Sequence, residues 1–415
     1  MTAGDMVATD VADGAPTLFL IAGEPSGDAL GARLMAAAKR LTGGRVRFIG
    51  IGGERMMAEG LVSLFPMAEL TLFGIFELLP HLPNLIRRID QTVAEILRMR
   101  PDAVVGIDSP GFTVRVAKKV RAADPAIPLV HYVAPTVWAW KPKRAAKYAA
   151  IYDHLLAVLP FEPPYFEKEG LACTFVGHSV VEGRAGKGDG SGFRLRHGIA
   201  DADHVVAVLP GSRKGEVSRL LPDFRATLDL LRPSHPNLVA VVPTVATVRD
   251  RVAAAIADWP VRTLLVEGDT EKYDAFAAAE VALAASGTVA LELALARLPT
   301  VIAYRLNPVT VALYRRLIRV KYVNLVNLML DRMLVPELLQ QDCRPDRLAT
   351  ELGRLLDDPE ARQLQIDGVA EVARWLGQGD IPPSERAARA ILDVVAEHRS
   401  IRPQEGKPRT GEQRP

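Results

Sequence analysis

Asp108 closes the run Val104-Val105-Gly106-Ile107 and is followed by Ser109, Pro110 and Gly111. Four apolar residues of a buried strand thus deliver a carboxylate to the tip of a sheet. There a partly desolvated acid has its pKa raised and can serve as a general base. An Asp before Ser-Pro equally suits a helix N-cap or an Asx turn, so the local pattern leaves both readings open. A second acid, Glu24, stands in residues 22–31 (AGEPSGDALG), directly after the apolar run TLFLIA, with Ser26 two positions on. Gly23 and Gly27 permit close backbone approach there, and Ser26 and Asp28 are placed to cap the following helix. This loop is neither a GxGxxG fingerprint nor a Walker loop, which disfavours a nicotinamide dehydrogenase or a P-loop kinase. A capped turn without a ligand is the plainer reading. Glu24, an acid at a strand's carboxyl end, argues against it.

The second half carries a different chemistry. Residues 209–217 (LPGSRKGEV) read as a strand, a Gly211-Ser212 turn and a helix start. Free backbone N–H groups in such a turn bind an anion, and Arg213 adds a planar fork suited to a diphosphate. Lys214 adds charge there or is simply solvated. In residues 285–295 (ASGTVALELAL), Ser286, Gly287 and Thr288 open a helix, and Glu292 lies four residues beyond Thr288 on the same face. One helix would then offer donors to a phosphate and a carboxylate to ribose hydroxyls. Each element alone is explained by a plain capped helix. Both together, at equivalent strand ends, favour a nucleoside diphosphate. The eight histidines form no metal-ligand spacing, and His178 reads as a satisfied turn histidine. The Asp201/Asp203 pair precedes its strand, at the wrong end of a sheet for a ligand-bound ion, so no metal is expected.

Two stretches suggest a greasy partner. Residues 63–89 concentrate Phe65, Met67, Leu72, Phe73, Phe76 and Leu79 ahead of Arg87 and Arg88, and residues 309–330 interleave apolar positions with Arg315, Arg316 and Arg319. Apolar surface edged by cations suits an interfacial segment or an anionic lipid pocket, while a core helix with a solvated basic face explains the same pattern. Lys141, Lys143, Arg144 and Lys147 form a third basic group after Trp138 and Trp140, fit for a headgroup layer or for packing inside the protein.

The elements that must position these residues follow from the rest of the chain. Its 415 residues, 49% hydrophobic and 24% charged, exceed one domain and have a globular balance. A formal charge of +2 gives no case for nucleic acid, and two cysteines far apart in sequence fit a reducing compartment. The first fifteen residues lack a signal-peptide pattern, and no apolar run is long enough to span a bilayer. Short apolar runs ending in Gly/Pro/Ser turns alternate with amphipathic segments such as 28–40 and 84–99, the rhythm of βα units around parallel sheets. The expected architecture is α/β, with two Rossmann-like doubly wound domains facing a cleft. Residues 16–182 make the first domain, 183–203 a Gly-rich linker or loop, and 204–365 the second. Helices in 366–397 are expected to pack back on the first domain, and 398–415 to form a disordered tail.

Taken in order, AGEPSGD, VGIDSP, YVAPTVWAW, LPFEPPYF, FVGHS, VLPGSR, ASGTVALE and KYVNLVNL make the chain similar to one family. It resembles the lipid-A-disaccharide synthases, inverting glycosyltransferases of the GT-B type, from about Leu18 to about Ala390. The resemblance implies transfer from UDP-2,3-diacylglucosamine to 2,3-diacylglucosamine 1-phosphate, giving a β-1,6 disaccharide and UDP. It implies no cofactor, and a cytoplasmic enzyme working peripherally at the inner-membrane surface lipids of Gram-negative bacteria. A homodimer is compatible with the family, though no residue argues for one. By matching motif positions, Asp108 would be the base toward the acceptor hydroxyl, with Glu24 and Ser26 beside the acceptor. Arg213 would bind the diphosphate, supported by Ser286 and Thr288, with Glu292 on the ribose and Asn327 near the donor. The alternative is an enzyme like UDP-N-acetylglucosamine 2-epimerase, which shares a two-domain layout but needs neither acceptor nor greasy segments.

Overall fold

The computed structural model describes residues 14–70, 82–306, 320–379 and 381–401, which divide into two compact units. The first unit takes in the described residues up to Val137, Pro142–Gly177 and those from Pro383 onward. Its strands are β1 (Thr17–Ala22), β2 (Arg47–Ile51), β3 (Val62–Ser63), β4 (Ala103–Ile107), β5 (Leu129–Tyr132), β6 (His154–Ala157) and β7 (Ala172–Phe175). All pair in parallel, in the spatial order β3-β2-β1-β4-β5-β6-β7. The central strands are covered on both faces, so they read as continuous apolar runs rather than alternations. Alternate residues nevertheless part between two cores. Leu18, Leu20, Val105 and Ile107 join Leu34 of helix Pro25–Thr42 and Ile391 and Val395 of the C-terminal helix. Phe19, Ile21 and Val104 face the other way, with Phe112, Val116 and Val120 of helix Pro110–Ala123.

That C-terminal helix spans Pro383–Ile401, so it runs past His398, where the sequence suggested that order ends. Arg399 near its end donates from Nε to Asp102 Oδ1 at 2.7 Å. The preceding helix, Pro359–Trp375, belongs to the other unit.

The second unit comprises Trp138–Lys141 and the described residues of His178–Pro382. Its strands are β8 (His204–Leu209), β9 (Leu238–Thr244), β10 (Arg262–Glu267), β11 (Val281–Ala285), β12 (Thr300–Tyr304) and β13 (Glu337–Leu339). They too are parallel, ordered β10-β9-β8-β11-β12-β13. The Gly-rich stretch 183–192 lies inside this unit and is ordered by packing. Asp189 caps helix Gly190–His197 by accepting from Gly192 N at 2.8 Å, and its own N–H donates to Asp274 Oδ1 at 2.8 Å. A Cβ at Gly188 would lie 2.0 Å from Tyr273 O, so glycine serves close approach there rather than flexibility.

Leu72, Phe73, Phe76 and Leu79, and likewise Arg315, Arg316 and Arg319, lie outside the described residues. Phe65 belongs to the core of the first unit at 5% exposure, with the Arg88 guanidinium 4.5 Å from its ring centroid. It is a packing residue, not an exposed greasy one. Met67 is half-buried in the short helical turn Met67–Glu69. No described helix is long and apolar enough to cross a membrane.

Candidate active site

Asp108 follows the last residue of β4, and Ser109 is the N-cap of helix Pro110–Ala123. Both have left-handed backbones, with φ of 49° and 46°. Two successive non-glycine residues in that region cost on the order of 1–3 kcal/mol each, and persist only where neighbours over-determine them. Here Asp108 N donates to Tyr132 O at 2.9 Å, and Thr113 Oγ1 donates to Asp108 O at 2.9 Å and to Ser109 O at 3.0 Å. The N-cap position falls to Ser109, which makes no side-chain cap bond, so Asp108 is not the N-cap of this helix. Burial raises the Asp108 pKa, and the Ser109 backbone N–H offsets only part of that.

His131, on the neighbouring β5, packs against Tyr148 and Tyr152 with ring centroids 5.2 and 5.1 Å away. Burial lowers its pKa to about 3, which leaves the ring neutral. Burial also pushes Tyr148 up to about 12; Arg144 opposes that rise, and the charge of Asp108 adds to it.

β1 pairs with β4 so that Ala22 stands opposite Ile107, which sets the two following loops side by side. A Cβ at Gly23 would come 2.6 Å from Ser109 Oγ and 3.0 Å from Ser109 Cβ, so a larger residue there would press on Ser109 where the loops meet. Glu24 and Ser26 are both exposed at that edge. Glu24, rather than Ser26 or Asp28, is the N-cap of helix Pro25–Thr42, and it makes no side-chain cap bond. Asp28 is buried and serves the next helix instead. Its carboxylate accepts from Gly53 N at 2.8 Å, Met56 N at 3.0 Å and Arg55 N at 3.1 Å, closing the start of helix Glu54–Ala58.

In the second unit the carboxyl ends of β8, β9 and β11 surround a pocket of about 350 Å³. Its lining includes Gly211, Ser212, Arg213, Ser286, Gly287, Thr288 and Glu292, gathered from segments seventy residues apart and more. Arg213 is the N-cap of helix Lys214–Leu231, its side chain mostly exposed and steadied by Glu216 at 3.0 Å. The Ser286 N–H is used by Ala303 O at 3.2 Å, so its hydroxyl is the group it can offer. Glu292 projects from the short helix Val289–Leu295. Burial raises its pKa, against the pull of Lys272, whose Nζ lies 3.1 Å from Glu292 Oε2. Lys272, Glu216 and Thr244 also line the pocket and were not singled out by the sequence. Thr244 Oγ1 is buried there with no hydrogen-bond partner among the described residues. A cation, hydroxyls and a carboxylate around one cavity can hold an anion and a polyol together.

Asn327 stands apart from this lining. It is fully buried, its Nδ2 donates to Val335 O and Glu337 Oε1 at 2.7 Å each, and its Oδ1 accepts from Leu334 N and Val335 N at 2.9 Å each. With its amide so used, it shapes a turn instead of reaching a ligand. His178 accepts from Val180 N at 3.2 Å as a turn residue, and Asp203 accepts from Ala200 N at 2.8 Å.

The family model described as "Lipid-A-disaccharide synthetase" matches residues 18–391. A lipid-A-disaccharide synthase of Rhodospirillum centenum is 64% identical over 91% of this chain and 94% of its own length. Among solved structures, the S. aureus MnaA–UDP co-structure aligns at TM-score 0.60 and 11% identity over 95% of this chain and 99% of that one. Acinetobacter baumannii MurG aligns at TM-score 0.53 and 15% identity, over 92% and 99% of the two chains. At such identities these structures speak to the fold, which is GT-B-like.

Proposed function

This chain belongs to the lipid-A-disaccharide synthase family of glycosyltransferases, and on that premise we propose which substrates it joins and which residues do the work. The donor is UDP-2,3-diacylglucosamine and the acceptor 2,3-diacylglucosamine 1-phosphate; the products are a β-1,6 disaccharide 1-phosphate and UDP. The observation that carries the reading is the pocket of the second unit, where Arg213, Ser286, Thr288 and Glu292 meet around one cavity. Arg213 takes the diphosphate in its fork, with the Ser286 and Thr288 hydroxyls as further donors. Glu292 accepts from the ribose hydroxyls. Departure of UDP builds negative charge on the diphosphate while the anomeric carbon gains oxocarbenium character. Donors already aimed at the phosphates stabilise that charge without reorganising.

Asp108 removes the proton from the acceptor hydroxyl as the oxygen attacks the anomeric carbon on the face opposite UDP. The bond to UDP breaks as the new glycosidic bond forms, and the configuration inverts. Burial suits Asp108 to this role, since a raised pKa makes an aspartate a stronger base. Glu24 and Ser26, exposed on the neighbouring loop, are assigned to hold the acceptor. Because both substrates are lipids, the enzyme is expected to work at the cytoplasmic surface of the inner membrane.

Incubating the purified protein with both lipid sugars and weighing the products tests the reading. A new disaccharide 1-phosphate formed in step with UDP is expected, and R213A should slow donor use by at least about 10-fold. Donor consumed without acceptor would point to an epimerase instead.

A further inference from the structure

We propose that Lys272 is a positioning residue of this pocket, holding the Glu292 carboxylate charged and in place for the ribose hydroxyls. The proposal rests on the UDP reading above and adds a residue to it. Lys272 comes from helix Asp269–Ala278, and Glu292 from helix Val289–Leu295, so the pair ties two separate elements together at the wall of the cavity. Lys272 Nζ lies 3.1 Å from Glu292 Oε2, 3.2 Å from Asp269 Oδ1 and 4.4 Å from the Tyr273 ring centroid. Asp269 is 71% exposed and well screened by water, whereas Glu292 and Lys272 are 20% and 22% exposed. The pair with Glu292 is therefore the stronger of the two.

The remaining charged groups of the lining cannot do this work. Arg213 is held by Glu216 at 3.0 Å, and Glu216 carries the same charge as Glu292, as does Asp269 beside the pair. Without Lys272, a half-buried carboxyl beside Asp269 and the neutral Tyr273 would take up a proton readily. A protonated acid has one donor to place, while a carboxylate accepts from two vicinal hydroxyls at once. Lys272 thereby favours a ribonucleotide over its 2′-deoxy counterpart without touching the sugar itself.

The test compares UDP with 2′-deoxy-UDP by calorimetry on the full-length wild type, K272M, K272R and E292Q. Wild type is expected to prefer UDP by at least about 10-fold, as hydrogen bonds to a charged group warrant. K272M should lose most of that preference while still binding 2′-deoxy-UDP. On acidification its UDP affinity should also begin to fall at a higher pH than that of the wild type, because burial and Asp269 then raise the Glu292 pKa without Lys272 to oppose them. E292Q should lose the preference at every pH, and K272R should restore it. Equal losses of both nucleotides in K272M would make Lys272 a phosphate cation and overturn the proposal. So would an unchanged preference in K272M, or, if K272M does not fold, a preference retained in E292Q. Failure of the wild type to bind either nucleotide would instead overturn the UDP reading of the pocket.

Discussion

A carboxylate held at Asp108 is less well solvated than one in water, and that discomfort is its use. Because its pKa lies above the ordinary 3.8, kcat/KM should fall on the acid side with an apparent pKa higher than that of a free aspartate. A rate flat down to the pH where the protein unfolds would remove Asp108 from the proton transfer. The same shift has a cost in stability. With its folded pKa raised, Asp108 binds its proton more tightly in the native state than in the unfolded chain. Its contribution is therefore most favourable below the unfolded pKa and is lost as pH rises through the folded one. At neutral pH, Asp108→Asn should melt no lower than wild type, and asparagine accepts the left-handed backbone as readily as aspartate. The sequence made Asp108 legible because an acid ending a four-residue apolar run is out of keeping with its strand. Lys272 was not legible: in TEKYD it looks like any charged residue on a solvated helix face, and only the fold brings it to Glu292.

Elements were read most reliably where burial leaves a long signal. Buried parallel strands appear as apolar runs, so the central strands of both sheets stood out, as did the helices Pro25–Thr42 and Leu82–Met99. The edge strands β3 and β13, two and three residues long, carry no periodicity and passed unnoticed. Asp28 shows a second limit. In sequence it sits where a first-turn acid favours its own helix, yet its carboxylate accepts from three N–H groups more than twenty positions away. Asp28→Ala should therefore strip helix Glu54–Ala58 of its cap and leave buried donors unpaired, at a cost of about 1–3 kcal/mol in thermal or urea unfolding. An unfolding midpoint equal to wild type would show that water or the backbone replaces the carboxylate. Composition suggests a linker or loop at 183–192 because it reports flexibility, whereas Gly186, Gly188 and Gly190 answer to backbone packed against them.

At the scale of the whole molecule, the described chain builds one parallel sheet, then a second, and its last described helix returns to the core of the first. The two-sheet architecture follows from the rhythm of apolar runs. An amphipathic pattern says which face of a helix is buried but not against what; of the helices touching 366–397, Pro383–Ile401 lies with the first unit and Pro359–Trp375 with the second. The division of labour assigned here gives proton transfer to the first unit and UDP to the second. It is tested most directly by measuring turnover and UDP affinity side by side in D108N. The account predicts a loss in turnover of at least about 100-fold with the UDP dissociation constant within about twofold of wild type. A folded D108N that forms the disaccharide at a near-normal rate would contradict it.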